Sequence, residues 1–188
     1  MKGKAMKLLI ASDIHGSAFY AKKVVERFEK EGADKLLLLG DILYHGPRND
    51  LPFGHNPKEV IALLNPLSDK ILCVRGNCEA EVDQMVLDFP CLADYIVLNL
   101  DGINIFATHG HIFGENNPPK LHKGDILLCG HTHVPKCVTY ENFIYMNPGS
   151  TSIPKENSHN GYMIYENKTF IWKDFDGNIK NSYSCQEA

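Results

Sequence analysis

Lys7-Leu8-Leu9-Ile10-Ala11-Ser12-Asp13-Ile14-His15-Gly16 is an apolar run that stops at a carboxylate, an imidazole and a glycine. The apolar part, Lys7–Ala11, is too short for a helix and reads as a buried strand. Ser17–Glu31 follows, with Tyr20, Ala21, Val24, Val25 and Phe28 at helical spacing and Gly32 as a stop. Lys35–Leu39 is a second apolar run, and it ends at Gly40-Asp41. Strand, helix, strand in this order is a right-handed crossover, which places parallel strands in one sheet. Pro57 opens a second helical stretch through Leu64, and Ile71–Val74 repeats the strand pattern before Gly76-Asn77-Cys78-Glu79. A third helix is expected from Glu79 to Leu87.

Further strand candidates are Tyr95–Leu100, Ile103–Ala107 and Ile126–Cys129. Beyond them the pattern changes: Lys136–Tyr140, Phe143–Met146, Tyr162–Tyr165 and Phe170–Phe175 are separated by turn pairs, which predicts hairpins. The fold class expected is α/β, with two packed sheets, one mostly parallel and one mostly antiparallel, covered outside by helices. One domain over residues 1–188 is expected, with Met1–Ala5 a dispensable extension ahead of Met6. The longest irregular segment, Leu43–Asn56, has the length at which loops carry function. The aromatic residues Tyr162, Tyr165, Phe170, Trp172 and Phe175 read as sheet packing.

Composition narrows the function. The chain has 188 residues, 44% of them hydrophobic and 22% charged, without an apolar segment of membrane-spanning length. Nineteen basic against 23 acidic side chains leave a formal charge of −4, which argues against general nucleic-acid binding. The six cysteines form no C-x-x-C pair, so a reduced, cytoplasmic chain is expected. Cys73, Cys91, Cys129 and Cys137 read as small hydrophobes in or near the core, and His55, His122 and His159 as surface residues. The oligomeric state is open, a homo-oligomer included.

The chemistry sits at the strand ends. Five strands run into Asp13-Ile14-His15, Gly40-Asp41, Gly76-Asn77, Thr108-His109-Gly110-His111 and Gly130-His131-Thr132-His133. In an α/β sheet the carboxyl ends of the strands line the binding crevice, so these clusters converge. A mixed set of carboxylate, amide and imidazole donors suits transition metals. Two aspartates, one asparagine and four histidines are too many ligands for one ion, but they divide between two ions that share a bridging carboxylate. Arg48 is a candidate phosphate anchor, because guanidinium pairs well with phosphoryl oxygens, and His45 in the same loop is a second candidate to bind the substrate.

Taken in order, these clusters resemble the signature of the calcineurin-like metallophosphoesterases: D-x-H, G-D, G-N-H-[DE], a lone H and G-H-x-H. Asn147-Pro148-Gly149-Ser150, His45-Gly46-Pro47-Arg48-Asn49 and Ser152-Ile153-Pro154-Lys155 are similar to a bacterial phosphodiesterase branch of that family. The resemblance implies a four-layer α/β/β/α sandwich of two mixed β-sheets flanked by helices. It implies that Asp13, His15, Asp41 and His133 hold one metal and that Asp41, Asn77, His109 and His131 hold the other. The implied activity is a phosphoric ester hydrolase, a metallophosphodiesterase acting on small phosphodiesters through a metal-bridging hydroxide. Mn²⁺ is the first choice of metal, with Zn²⁺, Fe and Ni²⁺ as alternatives.

Two other functions fit the same fold: a phosphomonoesterase or nucleotidase, and a non-catalytic interaction scaffold. The chain departs from the wider family at Cys78, where many members carry a histidine that serves the leaving group. A thiol with an ordinary pKa of about 8.5 is a poor proton donor near neutrality. His111 and His45 are the alternative acids, and His111 is also a candidate to hydrogen-bond a ligand or the substrate.

Overall fold

In the computed structural model, which describes residues 6–185, the first apolar run is buried on both sides. In β1 (Leu8–Ala11), Leu9 and Ala11 face a helical layer, while Leu8 and Ile10 face a second sheet. That double burial explains why the run is continuous rather than alternating. The proposed extension Met1–Ala5 lies outside the described residues.

Ser17 starts α1 (Ala18–Glu31), its Oγ accepting the Tyr20 N–H at 3.2 Å, and Gly32 ends it in a left-handed conformation with φ of 62°. Parallel to β1 lies β2 (Lys35–Leu38). Asn56 caps α2 (Pro57–Leu64), which runs into a 3-10 turn over Asn65–Lys70 and then β3 (Ile71–Cys73). Ala18, Ala21, Val24 and Phe28 of α1 and Val60 and Leu64 of α2 form one apolar cluster with the outer face of this sheet.

The third helix is shorter than the expected Glu79–Leu87: α3 covers only Glu81–Gln84. Asp83 caps the Ala80 N–H at 2.8 Å, and Glu79 turns its side chain inward instead of starting the helix. Downstream, the Gln84 side chain bonds the backbone of Leu87, Phe89 and Cys91 and holds an irregular segment in place of further turns.

Next come β4 (Tyr95–Leu100), β5 (Ile103–Thr108), β6 (Asp125–Leu128), β7 (Pro135–Thr139), β8 (Phe143–Pro148), β9 (Gly161–Glu166), β10 (Thr169–Asp174) and β11 (Ile179–Ser184). One sheet has the order β11-β10-β9-β1-β2-β3 and the other β4-β5-β6-β8-β7. Both are mixed, which corrects the expectation of one mostly parallel and one mostly antiparallel sheet. The reason is that β9 returns to lie antiparallel to β1, so the late hairpins extend the first sheet. Meanwhile β5, β6 and β8 run parallel to one another. The sequence reading missed β11, an edge strand that is mostly exposed and shows no apolar period.

The sheets face each other across a core that includes Ile10, Leu37, Ile126, Leu128, Met146, Met163, Tyr165 and Trp172. Trp172 Nε1 donates to the Asn147 carbonyl at 2.7 Å, joining the two sheets by a buried polar bond. The outer face of the second sheet is packed by Phe106, Leu121, Leu127, Cys129, Phe143 and Tyr145. All six cysteines are free; Cys73, Cys91 and Cys129 are buried and Cys137 half-buried. No helix among the described residues is long and apolar enough to cross a membrane.

Glu31, at the end of α1, accepts Lys173 Nζ at 2.7 Å and Tyr162 Oη–H at 2.8 Å, with Lys7 Nζ at 3.8 Å. Burial opposes its charge, but Lys173, Tyr162 and Lys7 together hold the carboxyl below the usual glutamate range. A lowered carboxyl pKa stabilises the fold above the unfolded value of about 4.3, and that contribution disappears as pH falls through the folded value. Glu31→Gln is therefore expected to cost about 1 kcal/mol at pH 7 and much less at pH 3. Urea unfolding of both proteins at the two pH values checks it; an equal loss at both would refute the assignment.

Candidate metal centre

Five of the expected ligands share a rare backbone conformation. Asp13, His15, Asp41, His131 and His133 have φ between 51° and 66°, in the left-handed region that non-glycine residues seldom occupy. Each costs about 1–2 kcal/mol relative to ordinary backbone, and such positions persist only where their surroundings hold them. Cross-strand bonds do so here. The N–H groups of Asp13, His15 and Gly16 donate to the carbonyls of Gly40, Asp41 and Ile42 at 3.1, 2.9 and 2.7 Å. From behind, Ser150 Oγ and Ser152 Oγ donate to the Asp13 carbonyl at 2.9 and 3.1 Å.

Glu79 is the tie that the sequence reading did not assign. Its buried carboxylate accepts the N–H groups of Asp41 (2.9 Å), Ile42 (2.7 Å) and Gly76 (2.5 Å), knotting the end of β2 to the end of β3. Gly76 is obligatory at this knot, because a Cβ there would overlap Asp41 Oδ1. Gly130 is equally constrained by Ser12 Oγ.

Each aspartate has one oxygen committed to the protein and one turned to the histidines. Asp13 Oδ2 accepts Ser12 Oγ–H at 2.6 Å and the His131 N–H at 3.0 Å. Asp13 Oδ1 is buried without a well-formed hydrogen bond, although His133 Nε2 is 3.1 Å and His15 Nε2 3.5 Å away. Asp41 Oδ1 accepts the Cys78 N–H at 2.9 Å, while Oδ2 stands 3.6 Å from His15 Nε2 and 3.5 Å from His109 Nε2. Asn77 Oδ1 lies 3.1 Å from His109 Nε2, and His131 Nδ1 lies 3.2 Å from the same atom.

Three imidazoles are oriented from behind. The Nδ1 atoms of His15, His109 and His133 meet the carbonyls of Tyr44 (2.8 Å), Leu39 (2.6 Å) and Ile153 (2.9 Å). A carbonyl accepts only, so Nδ1 carries the proton and Nε2 turns its lone pair inward. Two such nitrogens, on His15 and His133, are 3.2 Å apart.

Asp13, His15 and His133 offer ligand atoms within 4.8 Å of one another, as do Asp13, Asp41 and His109. Inward lone pairs facing each other and a buried carboxylate oxygen without a partner are what a bound cation would satisfy. The donor set fits divalent transition metals.

The electrostatics agree. Burial disfavours the Asp13 carboxylate, but His133, His15 and His109 hold it well below the usual range. Burial likewise opposes a charge on His109, yet Asp41 and Asp13 push its pKa up to about 9. His15 is raised by Asp13 against the same desolvation.

Around this cluster is an open cavity of about 470 Å³, lined on one side by His15, Asp41, Asn77, His131 and His133. Arg48, Asn49, Thr132 and Lys155 line the rest. Arg48 lies on the cavity wall, and Lys155, to which the sequence assigns no role, joins it. Cys78 is half-buried beside Asp41; burial, then the Asp41 carboxylate, push its thiol well above the ordinary range. His111 is exposed, with its ring 5.3 Å from that of His109 and 6.3 Å from that of His131. His45 turns its ring toward Tyr44 and His55.

Comparison with known proteins gives this arrangement a context. Residues 6–169 match the calcineurin-like phosphoesterase superfamily domain. The chain is 46% identical over 162 residues to phosphodiesterase YfcE of Escherichia coli, covering 86% of this chain and 88% of that protein. The E. coli YfcE structure superposes with a TM-score of 0.93 at 42% identity, covering 96% of this chain and all of that one. Vacuolar protein sorting 29 from Cryptosporidium parvum shares the fold at a TM-score of 0.62 and 16% identity, over 96% of this chain and 99% of that one. The two mixed sheets and the flanking helices are thus those of a known family: the chain belongs to the calcineurin-like phosphoesterase superfamily.

Proposed function

We propose that this protein is a phosphodiesterase whose centre holds two divalent transition-metal ions, Mn²⁺ foremost. The observation that carries the reading is the arrangement of Asp13 and Asp41, each with one oxygen tied to the chain and one turned to inward-facing imidazole nitrogens. When bound, two such ions activate water and neutralise charge on the phosphoryl oxygens. Asp13, His15, Asp41 and His133 would hold one ion, and Asp41, Asn77, His109 and His131 the other. The name and similarity of E. coli YfcE support the choice of a diester. All seven ligand positions are intact, which favours an enzyme over a scaffold.

The remaining residues act on the ester. Arg48 pairs with a phosphoryl oxygen from the cavity wall. Cys78 remains a neutral thiol, because burial and Asp41 disfavour its ionised form, and it is a weak acid toward a leaving alcohol. His111 stands beside His109 and His131, where burial and then His109 lower its pKa, so it too is a weak proton source near neutrality, and His45 faces Tyr44 and His55. Alcohols that leave without much protonation are therefore the preferred products.

Metal-stripped protein given Mn²⁺ should hydrolyse bis(p-nitrophenyl) phosphate and prefer it to p-nitrophenyl phosphate. A preference for the monoester would favour a phosphomonoesterase, and stable metal binding without turnover of either would refute the enzyme. Asp41→Asn should lower both metal content, measured by mass spectrometry, and diester turnover, the latter by more than about a hundredfold. Full metal content with full turnover would sink the shared-ligand role. Cys78→His should raise turnover of diesters with poorly leaving alcohols by about tenfold and leave activated aryl esters less affected. Equal effects on the two would remove the argument about leaving-group protonation.

A further inference from the structure

Two cations face the cavity from distant parts of the chain, and neither has an ion-pair partner among the described residues. Arg48 belongs to the irregular segment after β2, where Asn49 Nδ2 donates to the His45 carbonyl at 2.8 Å and closes the turn. Lys155 follows the Ser150–Ser152 support. Its N–H donates to the His133 carbonyl at 3.1 Å, and its own carbonyl accepts Ser158 Oγ–H at 2.6 Å. The backbone of Lys155 is therefore fixed directly to a ligand-bearing loop, which places the residue on the cavity wall.

A simple phosphodiester carries one negative charge, and a single guanidinium is enough to pair with it. The aspartates in the cluster form no ion pair with either cation among the described residues: Asp13 Oδ2 and Asp41 Oδ1 accept from Ser12 and from the backbone N–H groups of His131 and Cys78, and their other oxygens face the histidines. Among the described residues, no phenylalanine, tyrosine or tryptophan lines the cavity to stack on a substrate arm. What the wall offers is positive charge, with the hydroxyl of Thr132 and the amide of Asn49 beside it.

Building on the phosphodiesterase reading, we propose that Arg48 and Lys155 select phosphodiesters that bear a second phosphate group on one of their alcohol arms. One of the two cations pairs with the scissile phosphoryl and the other with the additional phosphate. Lys155 is thus a specificity-determining residue, and the substrate class is narrowed to diesters with at least two anionic centres.

A matched pair of chromogenic esters tests this with the Mn²⁺-loaded protein: the p-nitrophenyl ester of thymidine 5′-phosphate, and the same ester carrying a 3′-phosphate. The bisphosphate ester is expected to show a KM lower by about tenfold, with a much smaller change in kcat. In Lys155→Met that ratio should collapse to about two or less, and Lys155→Arg should restore it. Calorimetry provides an arm independent of turnover. Thymidine 3′,5′-bisphosphate should bind about tenfold tighter than thymidine 5′-phosphate, with the advantage lost in Lys155→Met.

Equal KM values together with equal affinities in the unmodified protein would overturn the proposal, and so would a preference that survives Lys155→Met. Failure to hydrolyse either ester while the binding preference holds would instead count against the phosphodiesterase reading and leave the second-phosphate site supported.

Discussion

The left-handed backbone at Asp13, His15, Asp41, His131 and His133 is the constraint on which the rest depends. Non-glycine residues avoid that region, so five instances at one place must be imposed by their surroundings. The hydrogen bonds that impose it come from other parts of the chain: the Gly40, Asp41 and Ile42 carbonyls for the first loop, Glu79 for the second and Asp13 Oδ2 for the fifth. In return, the turns send side chains two residues apart toward the same centre. Ligand geometry here is a property of how strand ends are tied together.

The tie explains why both sheets are needed. The first sheet delivers Asp13, His15, Asp41 and Asn77 from the ends of β1, β2 and β3; the second delivers His109, His131 and His133 from the ends of β5 and β6. Packing of the inter-sheet core around Ile10, Leu128 and Met146 sets the spacing between the two groups. Asn147 links that core to the site, since its carbonyl accepts Trp172 Nε1–H while its Nδ2 donates to the Gly130 carbonyl at 2.6 Å. The segments that carry Arg48 and Lys155 are tied to the same frame, since the Tyr44 carbonyl accepts from His15 Nδ1 and the Lys155 N–H donates to the His133 carbonyl.

Legibility in the sequence followed the physics of each element. Lys7–Ala11 and Lys35–Leu39 were readable because both faces of those strands are buried. The ligand clusters were readable because each follows such a run. The long third helix failed because a glutamate that looked like its first residue is consumed by backbone N–H groups 37 and 38 positions away. Nothing local announces such a bond. β11 was missed because Ile179–Ser184 pairs through its backbone while its side chains stay mostly exposed. The character of the two sheets was misjudged because β9 pairs with β1, and hydropathy alone does not name a strand's partner. Lys155 carries no local signal in the sequence, since its relevance comes from the bond to His133 and the cavity it shares with Arg48.

Diffraction at the manganese absorption edge from Mn²⁺-soaked crystals tests the shared-ligand centre most directly. The account predicts two anomalous peaks about 3.5 Å apart, with Asp41 bound to both. Asp13, His15 and His133 should complete one ion, and Asn77, His109 and His131 the other. A single peak, or two peaks that do not share Asp41, would contradict it.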